Sequence, residues 1–486
     1  MLLEDIWEWA DDPEPAAKKI FWLCDVAGSG KSAVAHTFAQ QCHAKGLLAS
    51  SFFFDREISG RSGPQKLFST IARDLAGPYP KLGEDIAMVL EEERSIASAS
   101  LTRQFEALIL APSRRSIFTK PVVIVIDALD ECDEGSDSDI YTELLDIFRD
   151  QVLKLPEMFR VFLTSRPKGE FDEILSQQGL VLMRSINILA PANLNDIEVY
   201  VLLKLKELGR RGKLGENWPA QSLVNDFARR AEGLFIWVST VCNYIRTTID
   251  IDEELKLLVS QRSLQNLPAE TKMDKLYMTI LKTCNWQDNA FVEGYRLIMG
   301  TIMAAKSPLS MAALQSLHGD NLKWPVEKIL QPLGSLLTGL TVMDDHPVRI
   351  LHQSFRDFVT LRAGLSSDSE QFFLSVETYN QHMALLCIQT LNRELTDDIA
   401  GTGYLTADNN VPPGIPEISE IMEALLYACK FWIDHIVEVR SPVPNELIAE
   451  LHNLSSMRLV LWMEIISSKD QFRGLGDVRR WYEVRI

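Results

Sequence analysis

A chain of 486 residues, 46% hydrophobic and 24% charged, is too long for one hydrophobic core and too apolar to stay disordered, so it reads as two to four globular domains. Its formal net charge of −18 repels phosphate backbones and anionic lipids, which argues against nucleic acid or a membrane surface as the partner. Seven cysteines stand singly with no C-x-x-C pair, the pattern of buried reduced thiols in a cytoplasmic protein and not of a zinc site or disulfide framework.

The N-terminal MLLEDIWEWADDPE is acidic and has no basic n-region or long apolar core, so it is not a secretory signal. No run approaches the ~18 apolar residues of a membrane span. Five apolar runs follow: IFWLC (20–24), LLASSFFF (47–54), VVIVID (122–127), RVFLTS (160–165) and SINILA (185–190). They are continuous, not alternating, as in strands buried on both faces of a parallel sheet. Between them, Val34, Ala35, Phe38, Ala39 and Cys42 share one helical face, and LFSTIARDLA (67–76) and LTRQFEALIL (101–110) have the same period. Strands alternating with helices predict an α/β, doubly wound domain over residues 1–190 with a parallel five-stranded sheet.

Beyond residue 190 β-type runs nearly vanish. DIEVYVLLKLKEL and LVNDFARRAEGLFIWVSTVCNYI read as helices split by GRRGKLGEN (209–217), giving a small helical domain over 191–268. Residues 269–362 hold a helix around YRLIMGTIMAA, a second one capped by Ser310, and two strands around the D-D-H-P turn of LLTGLTVMDDHPVRILH, the order of a winged helix-turn-helix. Its presumed second helix, MAALQSLHG, has no Lys or Arg to face phosphates, so it reads as an intramolecular packing module and not a DNA reader. Residues 363–486 are mostly helical, interrupted by a loop at 402–417, and no internal repeat is visible.

The segment DVAGSGKS (25–32) lies between the first strand and the first long helix. A phosphate-binding loop needs glycines for close backbone approach, a helix N-terminus facing the anion, a lysine for the β/γ-phosphates and a hydroxyl for Mg²⁺. Gly28, Gly30, Lys31 and Ser32 meet those needs, and Val26, Ala27, Ser29 and Ala33 complete the cradle. Asp25 stands where the strict G-x-x-x-x-G-K-[ST] pattern has its first glycine, a turn position that Asp tolerates. By itself GSGKS also fits a flexible turn with an incidental lysine. The strand 122–126 ends in DALDECDE, at the strand edge where open α/β sheets bind ligands. Asp127 fits the Mg²⁺ shell, and Asp130 or Glu131 the orientation or deprotonation of an attacking water. In FLTSRP (162–167), Arg166 follows a buried strand and suits a γ-phosphate, though alone it would read as a surface ion-pair partner.

These residues resemble the NACHT nucleoside-triphosphatases of the signal-transducing STAND class, and among them the fungal nephrocystin-like members. VIVIDALDE fits the family's D-[GAS]-x-D-E strand end and Thr164–Pro167 its T-S-R-P strand end. ASSFFFDRE (49–57), AEGLFIWVSTV (231–241) and RILHQSFRDFV (349–359) look like family segments in the family's order, so the likeness covers about residues 1–440. The resemblance implies a P-loop core with strand order 5-1-4-3-2, then a small helical domain, a winged helix and a further helical domain. It also implies ATP/ADP with Mg²⁺ as ligands. His352 in LHQSF matches the histidine that touches the β-phosphate of ADP in the resting state; the other reading is a structural histidine beside a hairpin. Gly233 in GLF falls where relatives carry G-L-P beside adenine, with Phe235 replacing the proline. Family members usually carry an effector domain before the core and repeats after it, and neither is recognisable here.

The function that follows is a slow ATPase switch, in which exchange of ADP for ATP opens the molecule and lets copies associate with each other and with unknown protein partners. Moving such an equilibrium from 1:99 to 99:1 takes ~5.5 kcal/mol of differential binding. One charge-assisted hydrogen bond from His352 supplies only ~1.5–3 kcal/mol, so other contacts must contribute. The alternative is a nucleotide-binding scaffold without turnover. A metabolic kinase leaves the long helical region after the sheet without a role.

Overall fold

The computed structural model describes residues 2–12, 18–56, 58, 60–132, 138–167, 181–246, 248, 250–260, 267–340, 346–396, 398–399, 401–404, 418, 421–469, 472 and 474–485. The chain divides into two compact units, residues 1–242 with 250–272, and residues 243–249 with 273–486.

The first unit is built on a five-stranded, all-parallel sheet of β1 (Ile20–Cys24), β2 (Leu48–Phe53), β3 (Val122–Asp127), β4 (Phe159–Ser165) and β5 (Val181–Arg184). The strand order is β2-β3-β4-β1-β5, which from the other edge reads 5-1-4-3-2. Every residue of β1, β3 and β4 is buried, as their unbroken apolar runs require. Alternate side chains feed two cores. Ile20, Trp22, Cys24, Ile124, Ile126, Val161 and Leu163 pack in the core that includes residues of α3 (Leu67–Ala76) and α4 (Pro80–Glu92). Phe21, Leu23, Val123, Val125 and Phe162 pack with α1 (Leu2–Ala10) and α2 (Lys31–Ala44). Helices α5 (Leu101–Phe105) and α6 (Ala111–Arg115), joined by a π-helical turn, and α7 (Ser138–Asp146) lie in the described connections between strands.

The fifth strand departs from the sequence expectation: it is Val181–Arg184, not 185–190. As an edge strand among the described residues it pairs with β1, Ile20↔Val181 through Leu23↔Arg184, and its Met183 and Arg184 are exposed. An edge strand need not be apolar on both faces, so its run was inconspicuous. The more apolar SINILA instead forms a turn, in which the Asn187 side chain accepts the Leu189 N–H (3.2 Å) and its carbonyl accepts the Ala190 N–H (2.9 Å). Pro191 then opens the next helix at N1, where its missing N–H is harmless.

That helix, α8 (Pro191–Gly212), continues through the first residues of the predicted break and ends on left-handed Lys213. The predicted helix over LVNDFARRAEGLFIWVSTVCNYI is in fact two, α9 (Gln221–Ala231) and α10 (Phe235–Ile245), interrupted by Glu232 and Gly233, both at positive φ. A Cβ on Gly233 would come 2.1 Å from the Ile188 carbonyl oxygen, so only glycine fits there. Helices α11 (Ile251–Ser260) and α12 (Ala269–Lys282) follow, and the unit boundary falls inside α10 and α12.

In the second unit, α13 (Asn289–Ala304), α14 (Met311–His318) and α15 (Val326–Leu330) precede a two-stranded antiparallel ladder, β6 (Leu337–Thr338) with β7 (Arg349–Ile350). Ser310 caps α14 by accepting the Ala313 N–H at 3.1 Å. Residues 341–345, which include the predicted D-D turn, lie outside the described residues. After α16 (Gln353–Asp357) come the longer helices α17 (Val376–Glu394) and α18 (Glu423–Val437). They share a buried polar knot in which His435 bonds Asn380 (2.6 Å) and Tyr427 (2.8 Å) through its two ring nitrogens. All seven cysteines are buried and unbridged. Among the described residues no helix is long and apolar enough to cross a membrane.

Candidate functional site

The site gathers at the carboxyl ends of β1, β3 and β4, where strand backbones end and loops carry polar side chains. The 25–30 loop leaves β1 through Asp25, whose N–H bonds the Ser165 carbonyl at the end of β4 (3.2 Å). Asp25 Oδ1 accepts the Val26 N–H at 2.6 Å, so the carboxylate does the turn-making work of the missing glycine. Its Oδ2 is buried without a partner among the described residues, and burial raises the Asp25 pKa against the Val26 N–H, Lys31 and the Ile186 N–H.

Gly28 (φ 76°) and Gly30 (φ 103°) turn the loop in the left-handed region. A Cβ on Gly28 would lie 1.9 Å from Ile236 Cγ2 at the start of α10, so that glycine is required by packing as well as by dihedral. The backbone N–H groups of Ala27, Ser29 and both glycines donate to no protein acceptor among the described residues, and the Ser29 hydroxyl is buried and equally unpaired. Directly beyond them α2 begins, adding the free N–H groups of its first turn. Unpaired donors converging on a helix N-terminus fit an anion. Lys31 is buried, and its Nζ donates to the Asp25 and Val26 carbonyls, both at 2.8 Å. Burial lowers its pKa, while Asp130 and then Asp25 are the chief acids holding it up.

Asp127 ends β3, fully within the fold, and accepts a 2.5 Å hydrogen bond from Thr164 Oγ1 on β4. Burial raises its pKa; the hydroxyls of Thr164 and Ser32, then His36 and Lys31, oppose the rise. The hydroxyl of the loop and the strand-end aspartate are thus neighbours, the pair of oxygens that a hard divalent cation takes. Ala128 then adopts a left-handed conformation (φ 55°, ψ 47°), which costs about 1–2 kcal/mol for a residue with a Cβ. Its N–H is held by the same Thr164 oxygen at 2.9 Å. That kink carries Asp130 and Glu131 back over the strand end.

Asp130 is buried and bound at two points by Arg166: Oδ1 accepts the backbone N–H (2.9 Å) and Oδ2 pairs with Nε (3.1 Å). From the β2 side, Arg56 donates to the carbonyls of Asp130 (3.0 Å) and Glu131 (3.3 Å). Burial, reinforced by Asp130, pushes the Glu131 carboxyl up to about 8, against Arg166 and Arg56. So Lys31, Ser32, Asp127, Asp130, Glu131 and Arg166 share one electrostatic neighbourhood.

Residues 2–166 match the family model described as Nephrocystin 3, N-terminal. The match spans about a third of the chain and ends on Arg166, so it takes in the loop, the β3 acids and the β4 arginine. No curated protein matches the chain.

The two remaining predicted positions, Gly233 and His352, have their own surroundings. Gly233 faces the Ile188 carbonyl, and the residues of that segment nearest the loop are Phe235 and Ile236: Cβ atoms built on Gly30 and Gly28 would meet them at 3.8 and 1.9 Å. His352 belongs to the second unit, where it caps α16; its Nδ1 accepts the Ser354 N–H (3.1 Å) and lies 2.7 Å from the Ser354 hydroxyl, which in turn contacts Tyr277 Oη at 2.7 Å. A ring nitrogen that accepts a backbone N–H is unprotonated, so the neutral imidazole carries its proton on Nε2.

Three functional groups escaped the sequence reading. Thr164 and Arg56 lie inside segments picked out as family-like, TSRP and ASSFFFDRE, yet their partners are more than 30 residues away and no local spacing signals them. Ile236 is a plain apolar residue whose contact with Gly28 exists only in three dimensions.

Proposed function

We propose that the chain is a P-loop nucleoside-triphosphatase of the NACHT kind, a cytoplasmic switch that binds ATP or ADP with Mg²⁺ and hydrolyses ATP slowly. The observation that carries this reading is the meeting of Lys31, Asp127, Asp130 and Arg166 beside a loop of unpaired N–H groups. In this scheme the N–H groups of Ala27–Gly30 hold the phosphates, and Lys31 exchanges its two loop carbonyls for β/γ-oxygens. Ser32 and Asp127 would hold Mg²⁺, which supplies neutralisation of phosphate charge. Glu131 takes the proton of the water that attacks the γ-phosphorus as the bond to the β-bridging oxygen breaks. That role needs an ionised Glu131, whereas burial favours its neutral form, so turnover waits on a rearrangement that hydrates the carboxylate. The same observation favours the second reading, a nucleotide-binding scaffold with no turnover.

The helices and ladder between 289 and 350 suit the winged-helix reading, and His352, with its Nε2–H fixed as a donor, suits contact with the β-phosphate of ADP. Release of that contact on ATP binding would free the molecule to self-associate. Phosphate release from purified wild type, Glu131→Gln and Lys31→Ala tests the proposal. The switch predicts loss of turnover in both variants, with ATP binding kept only in Glu131→Gln. Binding to wild type without any release above that of the variants supports the scaffold, and failure of wild type to bind any purine nucleotide ends both readings.

A further inference from the structure

The two cations that the nucleotide reading assigns to phosphate are restrained in different ways. Lys31 rests on neutral carbonyls of its own loop, which it can leave by exchanging one oxygen for another. Arg166 rests on a carboxylate. Asp130 Oδ1 holds its backbone N–H at 2.9 Å and Oδ2 its Nε at 3.1 Å, with the Arg166 side chain 21% and the Asp130 side chain 8% exposed. A pair this far out of water is stronger than a surface ion pair. The carboxylate is also fixed from behind, because Arg56 grips the backbone carbonyls of Asp130 and Glu131 and the kink at Ala128 sets the direction of the loop.

We propose that Asp130 is an internal stand-in for the third phosphate, a two-oxygen acceptor that occupies Arg166 until a triphosphate displaces it and so sets how strongly the site prefers ATP to ADP. The inference rests on the nucleotide-switch reading above and replaces a catalytic role for Asp130 with a specificity-determining one. The two-point geometry makes the exchange feasible. When the Arg166 side chain leaves, Oδ1 keeps the backbone N–H, so the buried carboxylate is never stripped of all its partners. A diphosphate, which lacks the γ-oxygens, leaves the pair intact. The cost of breaking it therefore falls on ATP alone, and Asp130 acts as a threshold on the ATP side of the switch.

The test is a double-mutant cycle on the full chain with Mg²⁺, measuring affinities for ADP and for the non-hydrolysable AMP-PNP by calorimetry in wild type, Asp130→Asn, Arg166→Ala and the double variant. Asparagine keeps an acceptor for the Arg166 N–H but gives up the charge. The expected result is that Asp130→Asn raises the AMP-PNP-over-ADP preference by roughly tenfold, the lower end for one charge-assisted bond. In the Arg166→Ala background the same substitution leaves that preference unchanged. An unchanged or reduced preference in Asp130→Asn overturns the inference, and so does an equal rise in the Arg166→Ala background, which would mean simple charge repulsion of the extra phosphate. If Asp130→Asn fails to fold, Asp130→Glu serves instead: it keeps the charge, cannot hold both Arg166 groups in the same geometry, and is expected to shift the preference in the same direction by less. Wild type that binds neither nucleotide overturns both the switch reading and this inference, whereas wild type that binds both without an Arg166-dependent shift overturns the inference alone.

Discussion

Replacing Thr164 by valine keeps the shape of a fully buried side chain and removes one hydroxyl that serves two neighbours. That oxygen donates to Asp127 at 2.5 Å and accepts from the Ala128 N–H at 2.9 Å. Without it a left-handed Ala128 is left with an unpaired N–H, and a buried carboxylate loses the partner that most opposes its desolvation. Each buried group left unsatisfied costs about 1–3 kcal/mol, and Asp127 keeps Ser32, so about 2–4 kcal/mol is expected in all. At about 2–4 °C per kcal/mol for a unit of this size, the apparent Tm falls by roughly 4–16 °C. The pH dependence gives a second, sharper signature. Burial already raises the Asp127 pKa above its unfolded value, and losing the Thr164 bond raises it further. A carboxyl with a raised folded pKa contributes stability fully below its unfolded pKa and loses it as pH rises through the folded pKa. The deficit of Thr164→Val should therefore be smallest in acid and grow toward neutral pH. Urea unfolding between pH 4.5 and 7.5, followed by tryptophan fluorescence (Trp22 lies buried in β1, bonded to Ser165 at 2.9 Å), reads this directly. A variant as stable as wild type, or a deficit flat with pH, would refute the assignment of Thr164 as the support of Asp127.

Gly28→Ala is expected to destabilise the first unit by more than the ~1–2 kcal/mol of left-handed strain, because its methyl runs into Ile236; adding Ile236→Ala should recover the steric part, seen as a partial return of the thermal midpoint. Glu131, raised to about 8 by burial, contributes stability below its unfolded pKa and loses it as pH climbs through 8. Glu131→Gln should therefore gain stability over wild type progressively from pH 6 to 9 in denaturant titrations, and parallel curves would contradict the buried environment. Ser354→Ala breaks the Tyr277–Ser354–His352 chain and leaves a buried phenol hydroxyl short of a partner, costing about 1–2 kcal/mol by chemical denaturation.

The central strands were legible because burial on both faces forces unbroken apolar runs, and VVIVID and IFWLC are just such runs. The loop was legible for a different reason: an anion cradle followed by a helix needs Gly, Lys and Ser at fixed spacing within one stretch of chain. The fifth strand was misread because an edge needs only one neighbour, and its weak run at 181–184 was overshadowed by the more apolar turn that follows. The break between α9 and α10 was missed because the apolar period runs through it; Glu232 and Gly233, both at positive φ, turn the chain there, with Gly233 against the Ile188 carbonyl.

The sequence by itself determined which residue types sit at the ends of three strands, since strand ends, glycines and charges are local features. Which of those groups touch was decided by tertiary structure alone. Parallel strands set side by side bring Thr164 to Asp127, Arg166 to Asp130 and Arg56 to both acids of the kink, across sequence separations of more than 30 residues. The same burial that forms the sheet strips water from Glu131 and Asp127 and moves their proton affinities, a property that no residue carries until its neighbours are in place.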